Sequence, residues 1–224
     1  NSSSSSSLNS SSLEESSTNH LNSHSHASKC WQCGKRQNCC HLFCSNCGKI
    51  QAVGSSCCNY FKLLDMPVSF KVDERSLEKK YKEIQKITHP DKYSMASEME
   101  RNASTVSSST INQAYQALRC PVDRAKYLLA LQGINALNED SSFDDPQLMM
   151  DIFELRESIE DLKYSKNIEG LKKLLQELKD EATTLCDIIE STYQEKRLNE
   201  TTRASVKLKY ISKAIEEVMA IIPS

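Results

Sequence analysis

From Asn59 onward, apolar and polar residues alternate at helical spacing. Leu77, Tyr81, Ile84 and Thr88 mark one helical face. Ile111, Ala114, Tyr115 and Leu118 mark another, on the far side of His89-Pro90-Asp91. A third helix is predicted to begin at Pro121, a residue suited to a first turn, to run through Ala125, Leu128, Leu129 and Leu131, and to stop at Gly133. Residues 134–145 read as a linker. Beyond them come three heptad-like stripes: Leu148, Ile152, Leu155, Ile159 and Leu162; then Leu171, Leu175, Leu178, Ala182, Leu185 and Ile189; then Leu208, Ile211, Ile215, Val218 and Ile222. Three such helices with short connections predict an antiparallel bundle. The expected fold class is therefore all-α, with a helical-hairpin domain over 59–133 and a three-helix bundle over 146–224. The serine-rich stretch from Ser104 to Ser109 should weaken its helix locally.

Composition adds limits. With 224 residues and 38% hydrophobic content the chain can build packed cores, and five Gly and five Pro are few enough to favour helix. No apolar run approaches the ~20 residues of a spanning helix, so no membrane association is expected. A formal charge of -2 argues against global attraction to nucleic acid, so any electrostatic recognition must be local. Residues 1–28, dominated by Ser, Asn and His, read as a disordered tail in which His20, His24 and His26 are solvated rather than metal-bound. The chain opens on Asn1 without an initiator Met, so the natural N-terminus is expected upstream. A targeting peptide has room there, although this tail lacks the arginines of a transit peptide.

Eight of the ten cysteines lie between Cys30 and Cys58, which defines a small module over 29–58. Cys30-Trp-Gln-Cys33-Gly34 and Cys44-Ser-Asn-Cys47-Gly48 are two knuckles in which a two-residue gap lets both thiolates reach one ion. The following Gly permits the tight turn that aims backbone amides at sulfur. Four thiolates suit one tetrahedral Zn(II) in a structural role; the same ligand set also holds iron or a cluster. A disulfide framework is not expected, since no secretory segment precedes the cluster. Cys39, Cys40, Cys57 and Cys58 are surplus to the ion and read as free thiols near the surface, with a second metal or redox site as the alternative. Trp31, Phe43 and a few lysines are too little for a nucleic-acid surface on this module.

His89-Pro90-Asp91 falls between two amphipathic helices, where Pro90 disfavours helical conformation at His89 and enforces a break. On the preceding helix Arg75, Lys79, Lys82 and Lys86 cluster opposite the apolar face, a surface that could steer an acidic partner. His89 and Asp91 flank a proline in an exposed loop with no nucleophile or oxyanion-type loop beside them, so catalysis is not expected there. On the first bundle helix, Met149, Met150 and Phe153 turn away from the Leu148 stripe, next to Glu154 and Glu157. Large apolar groups so placed form either a binding patch or a face buried against the preceding domain. Tyr210 likewise sits off the stripe of its own helix.

Four stretches now combine: Asn59-Tyr-Phe-Lys-Leu-Leu, His89-Pro-Asp-Lys-Tyr, Ile111-Asn-Gln-Ala-Tyr-Gln-Ala-Leu and Arg124-Ala-Lys-Tyr-Leu-Leu-Ala-Leu-Gln-Gly133. Together they resemble a J-domain and, more narrowly, the HscB (Jac-type) family of iron-sulfur cluster co-chaperones, over about residues 59–222. The knuckles resemble the N-terminal zinc module of some eukaryotic members. The resemblance implies that His89, Pro90, Asp91, Lys79, Lys82 and Lys86 engage a heat-shock 70 kDa (DnaK-type) chaperone and accelerate its ATP hydrolysis, the chain itself being no enzyme. Leu148-Met-Met-Asp-Ile-Phe-Glu-Leu-Arg-Glu157 aligns with the segment by which such proteins hold an IscU-type scaffold, and Lys207-Leu-Lys-Tyr210 resembles its counterpart on the last helix. The resemblance thus implies scaffold contacts at Met149, Met150, Phe153, Glu154, Glu157 and Tyr210. It further implies the mitochondrial matrix, with cytosol as the alternative, and leaves open a homodimer.

Overall fold

The computed structural model describes residues 27–55, 58–135, 137 and 145–222. The expected disorder of residues 1–26, the three tail histidines, Cys57 and most of the linker lie outside them. Ala27 and Ser28, read with the tail, instead begin the short strand β1 (Ala27–Lys29), which pairs antiparallel with β2 (Arg36–Asn38).

Seven helices follow among the described residues. Helices α1 (Tyr60–Leu63), α2 (Glu74–Thr88), α3 (Glu98–Arg119) and α4 (Pro121–Leu131) form the hairpin domain, and a 3-10 turn over Pro90–Tyr93 follows α2. Helices α5 (Pro146–Tyr164), α6 (Ile168–Gln194) and α7 (Leu198–Ile221) form the bundle. Their starts are written locally: Asn59, Asp73, Ser97, Asp145 and Asn167 each accept a hydrogen bond from an amide of the first turn. The two bundle turns close on left-handed Lys166 (φ 52°) and Lys196 (φ 57°), a conformation common just past helix ends.

One hydrophobic core runs through both domains, from Val53, Phe61, Leu77, Ile111 and Leu128 to Ile159, Leu171, Leu208 and Val218. Polar groups hold the loop before α2 from two sides, one of them across the junction. The buried Arg124 guanidinium donates to the Phe70, Leu118 and Arg119 carbonyls at 2.7, 2.7 and 3.1 Å and stacks over the Phe70 ring. Burial lowers the Arg124 pKa from its usual value. Beside it, the buried Glu190 carboxylate of α6 accepts from Ser69 Oγ and from the Lys71 amide at 2.7 Å, and Lys71 pairs with Asp187 at 2.9 Å. The loop before α2 is thereby attached to α6. Part of the expected linker is docked as well: Leu137 is buried with Leu129, Leu148 and Val206.

Two sequence expectations need correction. The serine-rich stretch does not interrupt α3, because Ser104, Ser107 and Ser108 are buried and hydrogen-bonded across to neighbouring segments. Small hydroxyl side chains permit close approach there, and their bonds satisfy carbonyls that would otherwise be buried alone. The stripe on α5 is only partly buried. Leu148 and Ile159 are enclosed, whereas Ile152, Leu155 and Leu162 are half-exposed. Between α5, α6 and α7 lies a cleft of about 370 Å³, whose lining includes Leu148, Ile152 and Leu155.

Candidate functional site

Three groups of residues carry candidate chemistry. The first is the cysteine module. The Cys30, Cys33, Cys44 and Cys47 sulfurs lie within 4.8 Å of one another, with Cys30–Cys47 at 3.6 Å and Cys33–Cys44 at 3.7 Å. Four sulfurs around Zn(II) at ~2.3 Å would be separated by roughly 3.8 Å, so the set fits a tetrahedral ion. The knuckles are congruent: Gly34 N donates to Cys30 O and Gly48 N to Cys44 O, both at 2.9 Å, with φ of 72° and 70° at the two glycines. Those left-handed turns, which a Cβ would strain, aim the Gln32 and Asn46 amides at the Cys30 and Cys44 sulfurs, each at 3.4 Å.

Burial opposes ionisation of Cys30, but amides of Cys33 and Gln32 and the neighbouring thiols outweigh it and bring Cys30 down to about 6. Cys33 is lowered by the Lys35 amide and the Asn46 side chain. At Cys47 the Lys49 amide favours the thiolate, yet burial and the other three thiols push it up to about 12. A divalent cation would resolve this crowding of negative charge and displace protons as it binds.

The module is fastened to the hairpin domain. Ser107 Oγ on α3 donates to Gln51 O at 2.7 Å and accepts from Val53 N at 3.0 Å, and Lys49 pairs with Glu100 at 2.8 Å; within the module, Trp31 Nε1 donates to Ile50 O at 2.7 Å. Of the surplus cysteines, the reading as surface thiols fails for those described. Cys58 is buried and disulfide-bonded to the half-exposed Cys40, and Cys39 is buried. Adjacency in space, invisible in the spacing, brings Cys40 and Cys58 together.

Metal binding through the knuckles makes a direct prediction. Cys44→Ser should lower metal content, read by elemental analysis, from one ion per chain to none, while the far-ultraviolet helical signal stays, because the helices have their own core. Unchanged stoichiometry would remove these four residues as ligands.

The second group is the tripeptide loop. Pro90 occupies the first position of the 3-10 turn and His89 caps it, its Nδ1 accepting from the Asp91 amide at 3.3 Å. That bond occupies Nδ1 and leaves Nε2 as the other edge of an exposed ring. The Asp91 carboxylate lies 3.4 Å from Nδ1 and is also exposed. The last carbonyls of α2, which lack helical partners, are met from outside the helix: Ser104 Oγ donates to Thr88 O at 2.8 Å and Tyr93 OH to Ile87 O at 3.2 Å. Sequence reasoning missed Ser104, whose only signal was a serine in a helix where alanine would do. Arg75, Lys79, Lys82 and Lys86 are all exposed on α2. Lys82 is paired with Glu78 at 2.7 Å, whereas Lys79 and Lys86 form no ion pair among the described residues.

The third group is on the bundle. Met149, Met150 and Phe153 are 42%, 59% and 66% exposed, so the alternative of a face buried against the hairpin domain does not hold. Glu154 and Glu157 are exposed beside them. Tyr210 is different: half-buried, it packs on the Leu148 cluster and lines the cleft, into which Glu154, Asp151, Glu177, Glu181 and Lys207 also open. The structure thus brings Glu154 and Tyr210 to one cleft and leaves the three large apolar groups on the outer face.

A family model described as the HSCB C-terminal oligomerisation domain matches residues 144–219. The chain is 32% identical over 191 residues to the iron-sulfur cluster co-chaperone protein HscB homolog of Arabidopsis thaliana, covering 85% of this chain and 73% of that protein. It is 30% identical over 195 residues to the iron-sulfur cluster co-chaperone protein HscB of Mus musculus, covering 86% and 82%. Among solved structures, human co-chaperone protein HscB superposes with a TM-score of 0.75 at 28% identity, over 86% of this chain and 98% of that one.

Proposed function

This chain belongs to the HscB family of iron-sulfur cluster co-chaperones, and on that footing we propose that it couples an IscU-type scaffold to a DnaK-type 70 kDa chaperone. The observation that carries the reading is the placement of two exposed surfaces on one continuous core: the tripeptide loop with the α2 lysines, and the outer face of α5. In this reading His89, Pro90 and Asp91 engage the chaperone's ATPase domain, with Lys79, Lys82 and Lys86 orienting its approach. The Nε2 edge of His89 and the exposed Asp91 carboxylate give the loop a donor and an acceptor held by Ser104, Tyr93 and Pro90. Met149, Met150 and Phe153 supply apolar area for the scaffold, rimmed by Glu154 and Glu157, and Tyr210 shapes the adjoining cleft. Because Glu190 and Asp187 of α6 hold Ser69 and Lys71 of the hairpin domain, a scaffold on α5 is presented at a set distance from the loop. The knuckle ion is Zn(II), one per chain, and stiffens the module without chemistry of its own; the compartment is the mitochondrial matrix.

The test is steady-state ATP hydrolysis by a DnaK-type chaperone with the chain alone, the scaffold alone, and both. The chain should stimulate, and the two together should exceed the sum of their separate effects. Rates equal to the unstimulated chaperone in all mixtures would overturn the reading.

A further inference from the structure

The Cys40–Cys58 pair stands apart from everything used so far. Its sulfurs are bonded, its Cα atoms are 5.2 Å apart, and neither residue belongs to the four-sulfur group. We propose that it is a thiol–disulfide exchange site whose reaction partners are small thiols of the glutathione type, set into the joint between the metal module and the first helix.

Three observations support exchange over a permanent staple. Exposure is asymmetric: Cys58 is 1% exposed within the shared core, whereas Cys40 is half-exposed, so an incoming thiolate meets Cys40. Next, the bond is not needed to hold its two ends together. The segment it closes, 18 residues apart in sequence, contains Cys44, Cys47 and the stretch docked on α3 by Ser107 and by the Lys49–Glu100 pair. Those contacts persist when the bond opens, keep Cys40 near Cys58, and make closure an intramolecular step. Third, the core extends through both domains, so the fold does not depend on a cross-link in the way small secreted domains do.

The chemistry balances. A thiolate attacks Cys40 Sγ, the Cys40–Cys58 bond breaks, and Cys58 leaves as a thiolate that takes up a proton. A second small thiol then attacks the mixed disulfide on its own sulfur side, releasing Cys40 as a thiol and the small molecule as its disulfide. Two electrons and two protons enter the protein, and oxidised glutathione reverses both steps. Opening the bond returns conformational freedom to the loop, so the Gln51–Val53 stretch, whose amides bond to Leu42 O and Ser107 Oγ, stays docked but opens transiently from α3 more often.

The experiment equilibrates the native, metal-loaded full chain in glutathione buffers from fully reduced to fully oxidised, traps thiols by alkylation, and reads Cys40 and Cys58 by mass spectrometry alongside metal content. The disulfide fraction should follow the buffer with a two-electron dependence, at one metal ion per chain throughout. Amide exchange at Gln51 and Val53 should accelerate roughly ten- to a hundredfold on reduction, and in Cys40→Ser that dependence on the buffer should vanish. Full alkylation of both residues at every ratio would overturn the proposal, as would a disulfide that survives the most reducing buffer. A second metal ion bound on reduction would overturn it too, by assigning the pair to a metal site. None of these readouts involves a chaperone, so the site stands or falls separately from the proposed co-chaperone activity.

Discussion

Replacing His89 with Gln should abolish stimulation of a DnaK-type chaperone's ATPase while leaving the melting temperature of the chain nearly unchanged. His89 is exposed, and its intramolecular role is to accept one amide bond from Asp91 within the turn. Surface substitutions of this kind shift stability by about 0.5 kcal/mol or less. An interface anchor, by contrast, contributes about 2 kcal/mol or more, which is roughly thirtyfold in affinity. Ser104→Ala provides the contrast. That side chain is buried and its bond to Thr88 O lies directly before the loop, so its loss should cost about 1–2 kcal/mol of stability and reduce stimulation only in part. Reversing Lys79 and Lys86 to Glu should act on encounter, lowering the association rate and its salt dependence; Lys82 should matter less because Glu78 already neutralises it. Full stimulation by His89→Gln in the ATPase assay would exclude the loop as the docking element.

Changing Met149, Met150 and Phe153 together to Ala should weaken scaffold binding by about 2–4 kcal/mol, since a central apolar cluster commonly dominates an interface. All three are exposed, so no core is lost and the thermal midpoint should move little. The stimulation that the chain exerts by itself should survive, and the extra stimulation that depends on scaffold should disappear. Titration calorimetry with the scaffold, paired with thermal melts, checks both halves. Tyr210→Ala should not simply repeat this pattern in weaker form. Its ring packs on the Leu148 cluster, so truncation should lower stability as well as affinity. Intact binding by the triple variant would remove the α5 face from the scaffold site.

What the chain determines locally was legible before any coordinates. Cys-x2-Cys-Gly repeated ten residues on dictates two knuckles whose four sulfurs can share one ion, because ligand reach and left-handed glycine turns are properties of a few consecutive residues. Pro90 ends α2 for the same kind of reason, and the helical repeats of α2, α3, α6 and α7 mark their buried faces. Periodicity reports which face is apolar, however, and not what covers it. On α5 the same repeat left three of its five stripe residues half-exposed, and two of them, Ile152 and Leu155, line the cleft that α6 and α7 leave there. The remaining decisions lie in contacts between distant segments. Ser104 reaches Thr88 across 16 positions, Ser107 reaches Gln51 across 56, and Arg124 reaches Phe70 across 54. Cys40 finds Cys58 by the same folding back of the chain. A hydroxyl, a guanidinium or a thiol has no spacing signature for a partner so far away, so only the tertiary structure decided that a serine-rich helix would be stable and that two surplus cysteines would meet.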